Sequence, residues 1–192
     1  MSKYPAIFLD RDGTINEEMG YINHIDRFNI FPFVAESIKN FRDNGFKIIV
    51  VTNQSGIARG YFTEELLNEV HQNLINYLNE NGTKVEGIYY CPHHPREGKG
   101  KYKKDCNCRK PKPGLIERAI KEHDIDLKKS YMIGDRFKDM EFARNLNITS
   151  GFVLTGYGQG EYEHQKKAWS FMPDIIAENL KEMALKITNS LR

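Results

Sequence analysis

Two carboxylates, Asp10 and Asp12, stand two residues apart at the end of the apolar run Ala6-Ile7-Phe8-Leu9 and just before Gly13-Thr14. Side chains alternate along a strand, so this spacing puts both carboxylates on one side of the backbone and Arg11 on the other. Where the ladder stops, both can face a bound ion, and a pair of this kind supplies a nucleophile and an acid/base partner. Two further apolar runs end in polar groups, Lys47 to Val51 in Thr52-Asn53 and Tyr131 to Gly134 in Asp135. Carboxylates suit a hard cation such as Mg2+, which takes a few carboxylates plus waters and phosphate oxygens, while hydroxyl and amide donors suit an oxyanion. Together with Lys110, such an ion would neutralise a phosphoryl group well enough for a carboxylate to attack it.

A second constellation holds every cysteine in the chain, Cys91, Cys106 and Cys108, with His93 and His94 close behind the first. Three cysteines cannot close into disulfides. As Cys-x-His and Cys-x-Cys they give four ligands for a tetrahedral Zn2+, with either adjacent imidazole able to be the fourth. The stretch Arg96-Glu97-Gly98-Lys99-Gly100-Lys101 would not order itself, so a structural zinc closing the loop 91–108 makes physical sense. The loop ends two residues before Lys110, so ordering it also positions Arg109 and Lys110, and the Arg109 guanidinium can hold a phosphate with its fork.

The elements that must carry these groups alternate strand and helix. The strand Ala6 to Asp10 is followed by a helix near Pro32 to Asn44, whose Val34, Ile38 and Phe41 recur at helical spacing before a capping Gly45. The run Lys47 to Asn53 is apolar on both faces, as a central parallel strand requires. Thr63-Glu64-Glu65 opens a long helix with the stripe Leu67, Val70, Leu74 and Leu78. Strands at Val85 to Cys91, Tyr131 to Asp135 and Gly151 to Leu154, a helix at Gly114 to His123, and a terminal helix from about Asp174 complete the series. This pattern predicts a doubly wound parallel sheet with helices on both faces, in an α/β domain spanning residues 1–192. Ligands of such sheets sit beyond the carboxyl ends of the strands, so all the polar strand ends fall at one rim. His71 and His123 read as ordinary helix residues, Trp169 and Phe171 as packing for the C-terminal segment, and Gly156 to Gly160 as a flexible turn near the site.

With 192 residues, 40% of them apolar, the chain can bury one core and not comfortably two. No apolar run approaches the roughly 18 to 20 residues that span a bilayer, and Met1 to Pro5 lead straight into a strand, so a soluble cytoplasmic monomer is expected. Residues 96–112 carry eight Lys/Arg against two acids, a net charge of +6, which leaves −4 elsewhere in a chain of total charge +2. That patch lacks the interleaved aromatics that stack bases, which argues against a nucleic-acid partner.

The chain resembles the haloacid dehalogenase (HAD) superfamily of phosphotransferases. Four motifs carry the resemblance in order: Asp10-Arg11-Asp12-Gly13-Thr14; Val51-Thr52-Asn53-Gln54-Ser55-Gly56; Lys110 within Arg109 to Gly114; and Gly134-Asp135-Arg136 with Asp139 four residues beyond Asp135. It implies that Asp10 attacks phosphorus, Asp12 exchanges protons with the leaving oxygen and the water, and Thr52 and Lys110 stabilise the phosphoryl group. It also implies Mg2+ held by Asp10, the Asp12 backbone carbonyl and Asp135, with Asp139 orienting Lys110. It favours His93 over His94 beside Cys91, Cys106 and Cys108. A zinc loop without a sizeable cap is shared by two phosphatase groups of the superfamily, which act on heptose 1,7-bisphosphate and on histidinol phosphate. Glu17 to Ile22 and Gln54 to Gly60 look like the heptose group, which would remove the C7 phosphate. A polynucleotide 3′-phosphatase or a non-catalytic sugar-phosphate binder is a more remote reading. The substrate-facing set implied is Arg11, Glu18, Met19, Gly20, Tyr21, Asn53, Gln54, Ser55, Arg109 and Arg136. At the last position the heptose group often has Lys.

Overall fold

A computed structural model describes residues 3–191. Six strands, β1 (Ala6–Leu9), β2 (Lys47–Asn53), β3 (Gly87–Cys91), β4 (Tyr131–Gly134), β5 (Thr149–Val153) and β6 (Ile175–Ala177), form one parallel sheet in the order β3-β2-β1-β4-β5-β6. Among the described residues seven α-helices accompany them: α1 (Val34–Asp43), α2 (Gly56–Arg59), α3 (Glu64–Glu80), α4 (Gly114–His123), α5 (Phe137–Asn145), α6 (Gly158–Gln165) and α7 (Leu180–Asn189).

The period of two explains the layering. Ile7 and Leu9 of β1, with Ile48 and Val50 of β2, face a core closed by Ile38 and Phe41 of α1, Leu74 and Leu78 of α3, and Met183 and Ile187 of α7. Ala6 and Phe8, with Ile49 and Val51, face the opposite core, closed by Leu115 and Ile116 of α4 and Phe142 of α5. Both faces of β1 are therefore covered, and burial of each Leu, Ile or Phe side chain contributes about 1.5–3 kcal/mol. Thr63 caps α3 by accepting from the Leu66 N–H at 3.2 Å. The order reverses at β1, which pairs with β2 on one side and β4 on the other, so its carboxyl end opens into the crevice where such sheets take ligands.

The sheet gains a sixth strand where the sequence pattern suggests the start of a helix. Asp174 Oδ2 accepts both the Ser150 N–H at 2.8 Å and its Oγ–H at 2.6 Å, which draws the β-branched pair Ile175-Ile176 into the ladder beside β5. Helix α7 starts only after Asn179, whose side chain caps the Lys181 and Glu182 N–H groups. The sixth strand is absent from the local pattern because pairing with the distant β5 decides it. In the glycine-rich stretch at 156–160, read as a turn near the site, residues 156–157 form that turn and Gly158 opens α6. Among the described residues no helix is long and apolar enough to cross a membrane, and no large cap interrupts the sheet.

Candidate active site and metal centre

β1 ends at Leu9, and Asp10 is the first residue beyond it, tied back by its N–H to the Ile133 carbonyl at 2.9 Å. Lys110 lies buried between two carboxylates, its Nζ 3.0 Å from Asp10 Oδ1 and 2.7 Å from Asp139 Oδ1. Burial works against its charge, but Asp10 and Asp139 outweigh that and hold the ammonium above its ordinary pKa. Asn53, from the end of β2, pairs with the Lys110 backbone in both directions. Its Oδ1 accepts the Lys110 N–H at 3.1 Å and its Nδ2 donates to the Lys110 carbonyl at 3.2 Å. Asn53 thus sets the origin of the lysine as well as lining the site.

Asp135 follows β4 and is fully buried; its Oδ2 accepts the Tyr157 N–H at 2.8 Å, while its Oδ1 has no hydrogen-bond partner. Two glycines with left-handed backbones, Gly13 (φ 79°) and Gly156 (φ 57°), press against this carboxylate, and a Cβ on either would collide with it. Carboxylate oxygens of Asp10, Asp135 and Asp139 all lie within 4.8 Å of one another. Burial raises Asp135 well above its usual range, and burial also lifts Asp10 to about 7 against the pull of Lys110. Three ionised carboxylates around one ammonium would leave two negative charges in a buried place, and an acceptor oxygen of Asp135 is orphaned there. These residues fit a hard divalent cation, which would hold the carboxylates ionised.

Asp12 is arranged differently. Its carboxylate accepts Arg11 NH2 at 2.7 and 2.8 Å, Arg11 Nε at 3.1 Å, Asn16 Nδ2 at 3.0 Å and Gln54 Nε2 at 2.8 Å. Burial would raise this acid, but the Arg11 fork and the two amides overcome it and hold Asp12 below the usual range. Arg11 therefore does not face substrate, contrary to the sequence expectation; it is 1% exposed beneath Asp12. Strand alternation stops with β1 at Leu9, and the turn that follows folds Arg11 back onto its neighbour. Its NH1 lies 3.3 Å from Nε2 of His71, which the sequence marks only as an ordinary helix residue and which is buried on α3. Gln54 is also behind the site, bonded to Asp12 and, at 2.9 Å, to the hydroxyl of buried Thr52.

Above this floor opens a cavity of about 310 Å3, whose wall includes Glu18, Gly20, Tyr21, Ser55, Arg109 and Arg136. Met19 instead lines a neighbouring depression with Tyr21 and Tyr61. The wall also contains Lys138 and Tyr157, which carry no motif. Their only sequence signal is position, Lys138 on the turn that carries Asp139 and Tyr157 in the glycine-rich stretch after β5.

At the end of β3 the four soft ligands converge. Sγ of Cys91 is 3.5 Å from Cys106 and 3.2 Å from Cys108, Cys106 and Cys108 are 3.3 Å apart, and His93 Nδ1 is 3.7 Å from Cys91 and 3.3 Å from Cys108. Disulfides would need about 2.05 Å. A tetrahedral ion with Zn–S bonds of about 2.3 Å separates its ligands by roughly 3.8 Å, close to this arrangement. His94 is turned away: its Nδ1 accepts the Glu97 N–H at 2.9 Å and its Nε2 faces Arg59. The loop is also clamped to α3, where Glu64 accepts the hydroxyls of Tyr90 and Tyr102. Arg109 leaves it with NH1 donating to the His93 carbonyl at 3.2 Å.

The HAD-hydrolase-like family model matches residues 107–183. The chain is 43% identical over 173 residues to the D-glycero-β-D-manno-heptose-1,7-bisphosphate 7-phosphatase of Pasteurella multocida, covering 90% of this chain and 93% of that one. It is 45% identical over 180 residues to the protein of the same name from Haemophilus ducreyi, covering 93% and 95%. The chain belongs to the heptose-1,7-bisphosphate 7-phosphatase family. It is thus a phosphoric monoester hydrolase of the HAD class. The chain is also similar in structure to the D,D-heptose 1,7-bisphosphate phosphatase of B. bronchiseptica, solved with magnesium and phosphate. The TM-score is 0.83 at 28% identity, covering 97% of this chain and 99% of that one.

Proposed function

We propose that the enzyme hydrolyses the C7 phosphate of D-glycero-β-D-manno-heptose 1,7-bisphosphate and keeps the C1 phosphate, through a phosphoryl-aspartate on Asp10. The β anomer and the substrate come from the relatives' names. The observation that carries the mechanism is the contact of Asp10 with Lys110 at 3.0 Å on the floor of a cavity that also exposes Asp12. A nucleophile beside a fixed cation, with a second carboxylate facing the same space, is what covalent transfer of an anionic group needs.

Asp10, Asp135 and the Asp12 backbone carbonyl would hold Mg2+. When bound, the ion offsets phosphate charge and keeps Asp10 ionised. Lys110, aimed by Asn53 and Asp139, neutralises the phosphoryl oxygens from the other side, and the Thr52 hydroxyl donates to one of them. Asp10 attacks phosphorus as the bond to the C7 oxygen breaks, and that oxygen takes its proton from Asp12. Asp12 then removes a proton from the attacking water, and phosphate leaves Asp10. The Arg11 fork suits the base role, because it holds Asp12 ionised; to serve as acid, Asp12 must shed part of that fork. Arg109 and Arg136 on the wall meet the retained phosphate, with Glu18 to Tyr21 around the sugar. Cys91, His93, Cys106 and Cys108 would hold Zn2+ as a structural ion that orders the loop leading to Arg109 and Lys110.

Phosphate release in the presence of Mg2+, followed by 31P NMR, tests this. Purified enzyme given the α and β heptose 1,7-bisphosphates should lose only the C7 phosphate, and the β anomer faster. Preference for histidinol phosphate under the same conditions would move the substrate to the amino-acid alcohol phosphates.

A further inference from the structure

Arg136 is gripped from a segment that no motif includes. Its Nε donates to Glu161 Oε1 at 2.8 Å, and its Cζ lies 4.3 Å from the centroid of the Tyr157 ring. Glu161, in the first turn of α6, is only 8% exposed. Its second oxygen accepts the Phe137 N–H at 2.8 Å, so the carboxylate is fixed from α5 before Arg136 meets it. With Nε engaged and the guanidinium carbon over an aromatic ring, rotation about the last bonds of the side chain is suppressed. The two terminal amino groups make no hydrogen bond to protein among the described residues, while Arg136 lines the cavity. A planar fork held in this way matches two oxygens of one phosphate, which a lysine ammonium at the same position, having no Nε to lock, could not do.

The same segment also touches the metal carboxylate. The Tyr157 N–H donates to Asp135 Oδ2 at 2.8 Å and the Thr155 hydroxyl donates to the Gly13 carbonyl at 2.6 Å. Residues 155–161 therefore tie the reacting end of the cavity and its phosphate-reading wall to one frame. We infer that Glu161, assisted by the Tyr157 ring, is a positioning residue that sets the Arg136 fork to read the phosphate the enzyme retains. This rests on the heptose bisphosphate reading above.

The test compares heptose 1,7-bisphosphate with heptose 7-phosphate, which lacks only the retained phosphate. Glu161→Gln is expected to raise KM for the bisphosphate about tenfold with kcat unchanged, and to leave the 7-phosphate unaffected. In an Arg136→Ala background the same substitution should change nothing further. Tyr157→Ala, which removes an exposed ring and keeps the N–H on Asp135, should give a smaller shift of the same selectivity, and it decides the matter if Glu161→Gln does not fold. An equal loss on both substrates, or a loss that persists beside Arg136→Ala, would overturn the inference and make Glu161 a support for the start of α5. Wild-type enzyme inert toward heptose 1,7-bisphosphate but active on another phosphate ester would instead overturn the substrate reading, a result separate from the other two.

Discussion

His71 provides a quantitative handle on the hidden layer beneath Asp12. It is 7% exposed, and its Nε2 lies 3.3 Å from an Arg11 nitrogen that can only donate, so the imidazole accepts there and is neutral. Burial, then the Arg11 charge, push its pKa down from 6.5 to about 3. The unfolded chain takes up a proton near pH 6.5 and the folded chain only near 3. The stability contributed by neutral His71 is therefore fully present above 6.5 and is lost as the pH falls toward 3. Each pH unit below 6.5 costs about 1.4 kcal/mol, so between pH 7.5 and 5.0 the contribution falls by about 2 kcal/mol. His71→Gln leaves an acceptor for Arg11 and removes the titration. Urea unfolding of both proteins across this pH range, with zinc in excess, should show the wild type losing about 2 kcal/mol more than the variant, near 1 M in midpoint at a slope of about 2 kcal/mol/M. A difference between the two proteins that stays constant from pH 7.5 to 5.0 would refute a neutral imidazole as the partner of Arg11.

Asp10→Asn removes the nucleophile while keeping the shape, and turnover should fall below about one thousandth of wild type in a phosphate-release assay; substantial residual activity would contradict covalent transfer. Cys108→Ser should lower bound zinc from one per chain to well below that by elemental analysis and expose loop 91–108 to protease, and unchanged zinc content would remove Cys108 from the ligand set. Gly13→Ala drives a methyl into Asp135 at a left-handed position, so the Mg2+ concentration for half-maximal activity should rise about 10- to 100-fold. An unaltered magnesium titration would mean that Asp135 does not need that close approach.

The architecture and most of the site's floor were legible because they are short-range properties. A short apolar run rich in β-branched residues, alternating with helical patterns, reads as a central strand, and a polar residue at its end stands at the rim, which places Asp10, Thr52 and Asp135 together once the strands are parallel. Cys-x-His and Cys-x-Cys each bring two ligands within reach of one ion by local geometry, although the folded loop brings the two pairs together, and the turn at 94–97, where Glu97 N–H claims the His94 ring, separates His93 from its neighbour.

Tertiary packing decided what those residues are held by. Asn53 grips the backbone of a lysine 57 positions away, Thr155 reaches Gly13 across 142, and His71 meets Arg11 across 60. Arg11 illustrates the boundary. Strand alternation sends it away from Asp12, but the strand ends at Leu9, and a buried guanidinium then needs the nearest carboxylate and a neutral acceptor, which the fold supplies from its neighbour and from α3. The Glu161 grip on Arg136 and the strand at Ile175–Ala177 have the same origin, since each depends on a partner brought near by the folded sheet. Residue type and spacing determined which chemistry this chain can perform. The desolvation of polar groups on folding, which obliges each to find a partner in space, decided how that chemistry is aimed.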